Sequence, residues 1–149
     1  MPLTIRTACL CRTADDGFSA FHPRCCVLPS PTASGTILMT VQGIAGSDYF
    51  EPVQYCTSTA PLDRWSARQG IGAFAWRDFG GGITEGVCDV VPDLHTPTGT
   101  ILAVGHTVYY KDARLLDTLG AWSTDNLGCR DRIPRRAVYV TSRTDPIAW

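Results

Sequence analysis

Short apolar segments separated by turn residues run through most of the chain, and their spacing is typical of strands rather than helices. Residues 36–42 place Ile37, Met39 and Val41 on one face, and the opposite face is also largely apolar. A strand that is apolar on both faces is expected between packed sheets. Residues 74–84 contain three consecutive glycines and are predicted to form a loop. Further strands are predicted at 24–28, 52–58, from Trp65 onward, and at 87–92, 100–106, 108–110 and 137–142. The pattern therefore predicts an all-β protein.

Part of this pattern occurs twice. The sequence Gly-Thr-Ile-Leu stands at 35–38 and again at 99–102. In each copy a serine is followed seven residues later by a tryptophan: Ser58 with Trp65, and Ser142 with Trp149. A repeat built from short strands and turns is typical of β-propeller blades.

The repeat predicts a partial β-propeller of about two four-stranded antiparallel blades, at 24–75 and 87–149, after an N-terminal segment at 1–23. A polar insertion is predicted at about 111–135, where a surface loop is tolerated. The second blade is expected to be truncated, since the sequence stops within its closing turn. Open blade edges are expected to meet the missing blades of a longer protein, or a second copy of the chain.

Composition and charge narrow the function classes. The chain has 149 residues, 44% hydrophobic and 18% charged, as expected for one folded domain with a real core. A formal net charge of -1 argues against a nucleic-acid or anionic-membrane surface, which needs concentrated basic charge. The arginines nearest to such a patch are predicted to lie in a solvated turn: Arg130, Arg132, Arg135 and Arg136.

The seven cysteines are odd in number and contain no pair of CxxC motifs, so no structural zinc site and no cofactor are predicted. Cys25 and Cys26 lie in an apolar run and are predicted to be small buried hydrophobes rather than reactive thiols. The N-terminus lacks the apolar core of a signal peptide, and no run is long enough to span a membrane. These features predict a cytoplasmic protein with reduced thiols, or a secreted one if a signal peptide has been removed.

The order of arginine, strand, Gly-Thr-Ile-Leu, loop aspartate, strand, serine and tryptophan resembles the first blade of the sialidase (neuraminidase) superfamily. Members of that superfamily are six-bladed propellers with BNR, or Asp-box, repeats of the form Ser-x-Asp-x-Gly-x-Thr-Trp. Segments 58–65 and 142–149 keep the serine and tryptophan and lack the aspartate and glycine. The resemblance covers roughly residues 22–149 and implies the first two of six blades.

The resemblance implies a catalytic role for Asp48 and a substrate-binding role for Arg24. Asp48 is similar to the loop aspartate that serves as general acid/base in the family. A loop aspartate that closes an Asx turn is the alternative. Arg24 stands where the family places the first arginine of a triad that grips the substrate carboxylate through a planar fork. Cys25-Cys26 replace the family's Ile-Pro after it, and an arginine at the rim of a strand is the alternative.

Three further positions complete the implied substrate site. Asp89 resembles the second-blade aspartate of the pocket, and a buried ion pair is its alternative role. Gln42 occupies the place of the family's second triad arginine, although a neutral amide cannot offer a charged fork. His106 ends the matching strand of the second copy, where it is a candidate for sugar hydroxyl contacts or a structural residue. Glu85 and Tyr110 are further candidates for the same contacts.

Two functions from different classes follow. The first is a sialidase-like glycoside hydrolase that acts on the ends of glycans. The nucleophile pair and the last triad arginine of such an enzyme would lie in later blades. The 149 residues alone are therefore expected to be inactive. The second is a non-catalytic propeller module that binds carbohydrate or protein, and the fold by itself does not choose between them.

Overall fold

The computed structural model describes residues 19–28, 35–45, 49–59, 62, 64–93, 99–111, 136–143 and 147–149. Within these ranges the chain forms nine β-strands and one short 3-10 helix. The elements in chain order are β1 (Ser19–Leu28), β2 (Thr36–Ala45), β3 (Tyr49–Phe50), β4 (Gln54–Thr59), β5 (Gln69–Gly70), η1 (Gly72–Phe74), β6 (Arg77–Gly80), β7 (Ile83–Asp93), β8 (Thr100–Lys111) and β9 (Ala137–Arg143). Most of the predicted insertion, residues 112–135, lies outside the described ranges. No helix in the described ranges is long and apolar enough to cross a membrane.

The strands form two antiparallel sheets. The first has the order β1-β2-β4-β5, with the two-residue β3 paired to β2, and the second has the order β6-β7-β8-β9. Four-stranded antiparallel sheets of strands that follow one another in the chain are the units of a propeller. The prediction of an all-β fold, built as a partial β-propeller, is confirmed.

The repeat in the sequence is also a repeat in strand pairing. Ile37 on β2 faces Ser58 on β4, and Ile101 on β8 faces Ser142 on β9. Because the two isoleucines belong to the repeated Gly-Thr-Ile-Leu segments, residues of β8 correspond to residues of β2 at an offset of 64. The two copies are therefore structurally equivalent units.

Both repeated serines hydrogen-bond to backbone groups farther along the chain. Ser58 donates a hydrogen bond from Oγ to the carbonyl of Arg64, 2.6 Å away. Ser142 accepts one at Oγ from the backbone N–H of Ala148, 2.8 Å away. Each serine thus bonds the backbone six residues later. In the second copy, Trp149 packs edge-on against Tyr55 of the first sheet, at 6.0 Å between ring centroids. In each copy the serine therefore binds the backbone of the residue directly before the tryptophan.

Opposite faces of the two equivalent sheets meet in one core. Leu38 of β2 and Ile101 of β8 are both fully buried in it, yet Leu38 is equivalent to Leu102, which points to the other face of its strand. Face-to-back contact of this kind lets further units be added, as in a propeller. The core draws on both sheets and on η1 between them: Leu28, Leu38, Val53, Tyr55, Ile71, Phe74, Val87, Val90, Ile101 and Ala103.

The glycine-rich segment differs from its prediction as a loop. Arg77–Gly80 forms β6, which pairs with β7, whereas residues 75–76 and the turn through Gly81 and Gly82 match the prediction. The glycines of this turn have positive φ angles, and Asp78 accepts the N–H of Gly80 at Oδ1, 2.8 Å away. All four residues of β6 are exposed, so the strand has no apolar face by which the sequence could reveal it.

The prediction that Cys25 and Cys26 are buried is only partly correct. Cys25 is exposed, contrary to the prediction of a buried residue, whereas Cys26 is half-buried and packs against the core. The two residues are consecutive on β1 and therefore point to opposite faces. Partial desolvation of the thiol nevertheless raises the pKa of Cys25, which disfavours its reactive thiolate form.

A second apolar cluster contains Tyr49, which is 1% exposed and contacts the rings of Trp76 and Tyr110. Burial, and then the charge of Glu51, raise the pKa of Tyr49 to about 12. A tyrosine in the unfolded chain ionises near pH 10. Below about pH 10 the phenol is neutral in both states, so its contribution to stability is complete there. Between about pH 10 and 12 only the unfolded chain ionises, and the free energy of unfolding is expected to fall.

Urea unfolding at a series of pH values from about 8 to 11 tests this expectation. The Tyr49→Phe variant should lose stability less steeply above pH 10 than the wild type, because it lacks the phenol that ionises. Equal slopes for the two proteins would contradict the assignment.

Candidate functional site

Two β-bulges lie at equivalent places in the two sheets. In the first sheet Phe21 pairs with Gln42 and Arg24 with Thr40, so two residues of β1 oppose one residue of β2. In the second sheet the bulge on β7 lies between Cys88 and Val91, opposite β8. The residues of β2 and β8 that lie opposite the two bulges correspond to one another at the repeat offset of 64. Each inserts one extra residue, which bends the strand and redirects a side chain.

The first of the two residues that form each bulge has a left-handed backbone. His22 has φ 47° and Asp89 has φ 54°. Among the described residues the only other non-glycine residue with positive φ is Leu62. Aspartate and histidine tolerate this conformation better than most residues, but it still costs on the order of 1–3 kcal/mol. Strain of this kind is concentrated at functional sites in proteins.

The two strained residues contact one another. His22 Nδ1 lies 2.6 Å from Asp89 Oδ1, and Arg24 Nη2 lies 4.0 Å from the same oxygen. The imidazole contact is at hydrogen-bond distance but not in hydrogen-bond alignment, since Nδ1 of His22 has no hydrogen-bond partner among the described residues. We therefore treat it as a close polar contact. The side chains are 24% exposed for His22, 41% for Asp89 and 42% for Arg24, so a ligand can reach them from solvent.

The bulge on β7 also brings Asp89 to the side of Cys88 and His106. Cys88 faces His106 across β7 and β8, with Sγ 3.2 Å from Nε2. Consecutive strand residues normally point to opposite faces, but the bulge at Asp89 breaks this alternation. One ligand atom from each of Cys88, Asp89 and His106 lies within 4.8 Å of the others. We call the five residues His22, Arg24, Cys88, Asp89 and His106 the bulge cluster.

Side chains of β2 hold the backbone of β7 on both sides of Asp89. Thr40 donates from Oγ1 to the carbonyl of Val90 at 3.0 Å, and Gln42 donates from Nε2 to the carbonyl of Val87 at 2.8 Å. Gln42 Nε2 also lies 3.0 Å from the carbonyl of Glu51, which it donates to as well. These bonds satisfy buried carbonyls next to an irregular strand and fix the position of the bulge.

The structure brings together three of the five residues expected from sequence, Arg24, Asp89 and His106. Gln42 lies next to the cluster but does not face a ligand: it is 2% exposed, and its amide group binds backbone carbonyls. Asp48 lies outside the described residues.

Sequence reasoning missed His22 and Cys88. His22 was placed in the N-terminal segment before the first blade, and Cys88 was read as part of an apolar strand. One signal was present, because Pro23 follows His22, and proline within a strand is confined to edges and bulges. Nothing local marks Cys88 as a site residue.

A second concave surface involves Glu85 and Arg136. It is a groove of about 270 Å³ whose lining includes Ala73, Arg77, Glu85, Val87, Arg136 and Tyr139. The Glu85 carboxylate is buried and paired with the Arg136 guanidinium, and this hydrogen bond raises the pKa of Arg136. The backbone N–H of Arg136 donates a hydrogen bond to Thr107 Oγ1, 2.9 Å away. The Arg136 side chain is 59% exposed, as its predicted solvated position requires, and its charge is paired with Glu85. This pairing makes the groove a poorer ligand site than the bulge cluster.

Comparisons with protein-family models, with curated proteins and with solved structures gave no match for this chain.

Proposed function

We propose that the chain binds the carboxylated end of a glycan at the bulge cluster, as the recognition part of a sialidase-like glycoside hydrolase. The observation that supports this proposal is the meeting of Arg24, Asp89 and His106. They are distant in sequence, and each was expected from sequence to contact substrate. Arg24 and Asp89 lie 4.0 Å apart, and Asp89 and His106 belong to one group of donor atoms.

The side chains of the cluster suit an acidic sugar. Arg24 can offer its planar fork to a carboxylate, because the side chain is 42% exposed and only loosely paired with Asp89. Asp89 and His106 can accept from and donate to ring hydroxyls. Phe21 is 39% exposed and lies beside His22, with 3.9 Å between ring centroids, so it offers an apolar face to the sugar ring.

Hydrolysis requires more than this cluster. Asp48 would serve as the general acid/base, and a nucleophile would come from blades beyond these residues. Binding without hydrolysis is the non-catalytic alternative, and the same cluster supports it. Glycan binding is therefore the part of the proposal that can be measured directly on this chain.

The test is calorimetric titration of the chain, with a metal chelator present, with N-acetylneuraminic acid, glucuronic acid and galactose. We expect the two carboxylated sugars to bind and galactose to bind much more weakly. Arg24→Gln should weaken binding of the acids about 10- to 100-fold, as expected for a charged hydrogen bond worth roughly 1.5–3 kcal/mol. The affinity of Arg24→Lys, which keeps the charge without the planar fork, should lie between those of the wild type and Arg24→Gln.

Arg143→Gln is the matched control, because Arg143 is also an exposed strand arginine but lies on β9, away from the cluster. Its affinity should equal that of the wild type. Equal affinity for acidic and neutral sugars, or no effect of Arg24→Gln, would refute the proposed role of the cluster.

A further inference from the structure

We infer that Cys88, Asp89 and His106 form a binding site for a late divalent transition-metal ion of the Zn²⁺ class. This site goes beyond glycan recognition and does not depend on it. One donor atom from each residue lies within 4.8 Å of the other two, and Cys88 Sγ and His106 Nε2 are 3.2 Å apart. Ligands of a tetrahedral zinc ion at about 2.0–2.3 Å are separated by about 3.3–3.8 Å. Only a small movement of the half-exposed Asp89 side chain is needed to reach this geometry.

The donor set selects the class of ion. A thiolate and an imidazole favour zinc and its neighbours in the transition series, whereas Ca²⁺ and Mg²⁺ require oxygen ligands. Three protein ligands leave a fourth position open, and the exposure of Asp89 places that position towards solvent. Binding replaces the S–H bond of Cys88 with an S–metal bond, and the proton leaves to solvent.

The repeat shows that the fold does not need these donors. At the equivalent bulge of the first sheet, Phe21 and Gln42 stand in the places of Cys88 and His106. The same bulge therefore forms with an apolar ring and an amide. The identities of Cys88 and His106 consequently call for an explanation other than the construction of the bulge.

His22 is the positioning residue of this site. It lies 2.6 Å from Asp89 Oδ1, which leaves the second carboxylate oxygen available to an ion. A hydrogen bond from an outer residue holds a ligating carboxylate in place, and a rotation of the His22 imidazole would align Nδ1 with Oδ1 for such a bond. Arg24 is no obstacle, since its side chain is 42% exposed and can turn into solvent.

Burial excludes a competing role for the thiol. Cys88 pairs with a histidine, as a catalytic cysteine would, but it is only 2% exposed. A nucleophile must meet its substrate, and a sugar or peptide cannot reach this sulfur. A single ion entering beside Asp89 is small enough to do so.

The experiment is titration of the reduced chain with Co²⁺, without sugar, followed by displacement with Zn²⁺. We expect a thiolate-to-cobalt charge-transfer absorption and the visible bands of tetrahedral Co²⁺. Cys88→Ser should abolish the charge-transfer band, and His106→Gln should weaken Co²⁺ binding at least about 100-fold, more than the loss of an outer contact. His22→Gln should weaken binding about 10-fold and keep the band, as expected for a positioning residue.

Cys56→Ser is the control, because Cys56 is an equally buried thiol on the other sheet. It should keep the band. If Cys88→Ser does not fold by circular dichroism, the His106→Gln affinity decides the question. The absence of a band in the wild type, a band that survives Cys88→Ser, or unchanged affinity in His106→Gln would overturn the proposal. Sugar titrations with chelator present remain valid in each case, so failure of the metal site leaves glycan recognition separately testable.

Discussion

Replacing Gly105 with alanine is expected to destabilise the protein and to displace the bulge on β7. Gly105 alone lies opposite the two residues of that bulge, Asp89 and Val90. A Cβ atom there would lie 2.7 Å from Val90 Cγ2, 2.8 Å from Val87 Cγ1 and 2.9 Å from the carbonyl oxygen of Cys88. Valine side chains are stiff and the carbonyl is backbone, so the strand itself must move. We expect a loss of about 1–3 kcal/mol in the free energy of unfolding, the usual cost of overpacking a core.

Urea denaturation measures this loss, and Gly70→Ala is the control. Gly70 is also a strand glycine, but a Cβ atom there meets nothing within 4 Å, so its effect should stay within about 0.5 kcal/mol. Gly105→Ala should also weaken Co²⁺ binding, because Cys88 and Asp89 move with the strand. Wild-type stability in Gly105→Ala would contradict the described contact between Gly105 and the bulge.

Truncating Phe74 to alanine is expected to have the larger effect on stability. Phe74 lies in η1 between the two sheets, is fully buried and belongs to the core that both sheets share. Removing a buried phenylalanine side chain costs about 3–5 kcal/mol. A domain of this kind has a total stability of about 5–15 kcal/mol, so the variant should unfold at much lower urea concentration.

The same measurement tests whether the sheets share one core. Tryptophan fluorescence and circular dichroism should report a single coincident transition in the wild type and in the milder control Phe74→Leu, which retains most of the apolar volume. Phe74→Leu should lose less than half as much stability as Phe74→Ala. Two separate transitions, or a loss below about 1 kcal/mol in Phe74→Ala, would show that the sheets do not depend on a common core.

Much of the strand pattern could be predicted from sequence because local apolar runs dominate it. Residues 36–42 read as a strand apolar on both faces, and β2 is buried on both, with Leu38 at 0% exposure and Met39 at 3%. The repeated spacing of serine and tryptophan corresponds to a repeated contact, since Ser58 and Ser142 each bond the backbone of the residue before the tryptophan. β6 was missed because its side chains are exposed and carry no apolar period.

The candidate site was only partly predictable, since it depends on two bulges. Reading a strand with a period of two assumes that no residue is inserted, and one extra residue reverses the faces of everything that follows. Asp89 was noticed because a carboxylate within an apolar strand needs a partner. Its contact with His22 could not be foreseen, because it requires the packing of two sheets and a left-handed backbone at both residues.

The central claim is that the bulge cluster is a ligand site for carboxylated sugars. The most direct measurement is a heteronuclear NMR titration of the chain with N-acetylneuraminic acid, with chelator present. We expect the largest shifts in the backbone amide resonances of Phe21, His22 and Arg24 and of residues 88–91 and 105–107, with little change at 64–70 and 138–143. Largest shifts around the groove of Glu85 and Arg136, or no shifts at saturating sugar, would contradict the claim.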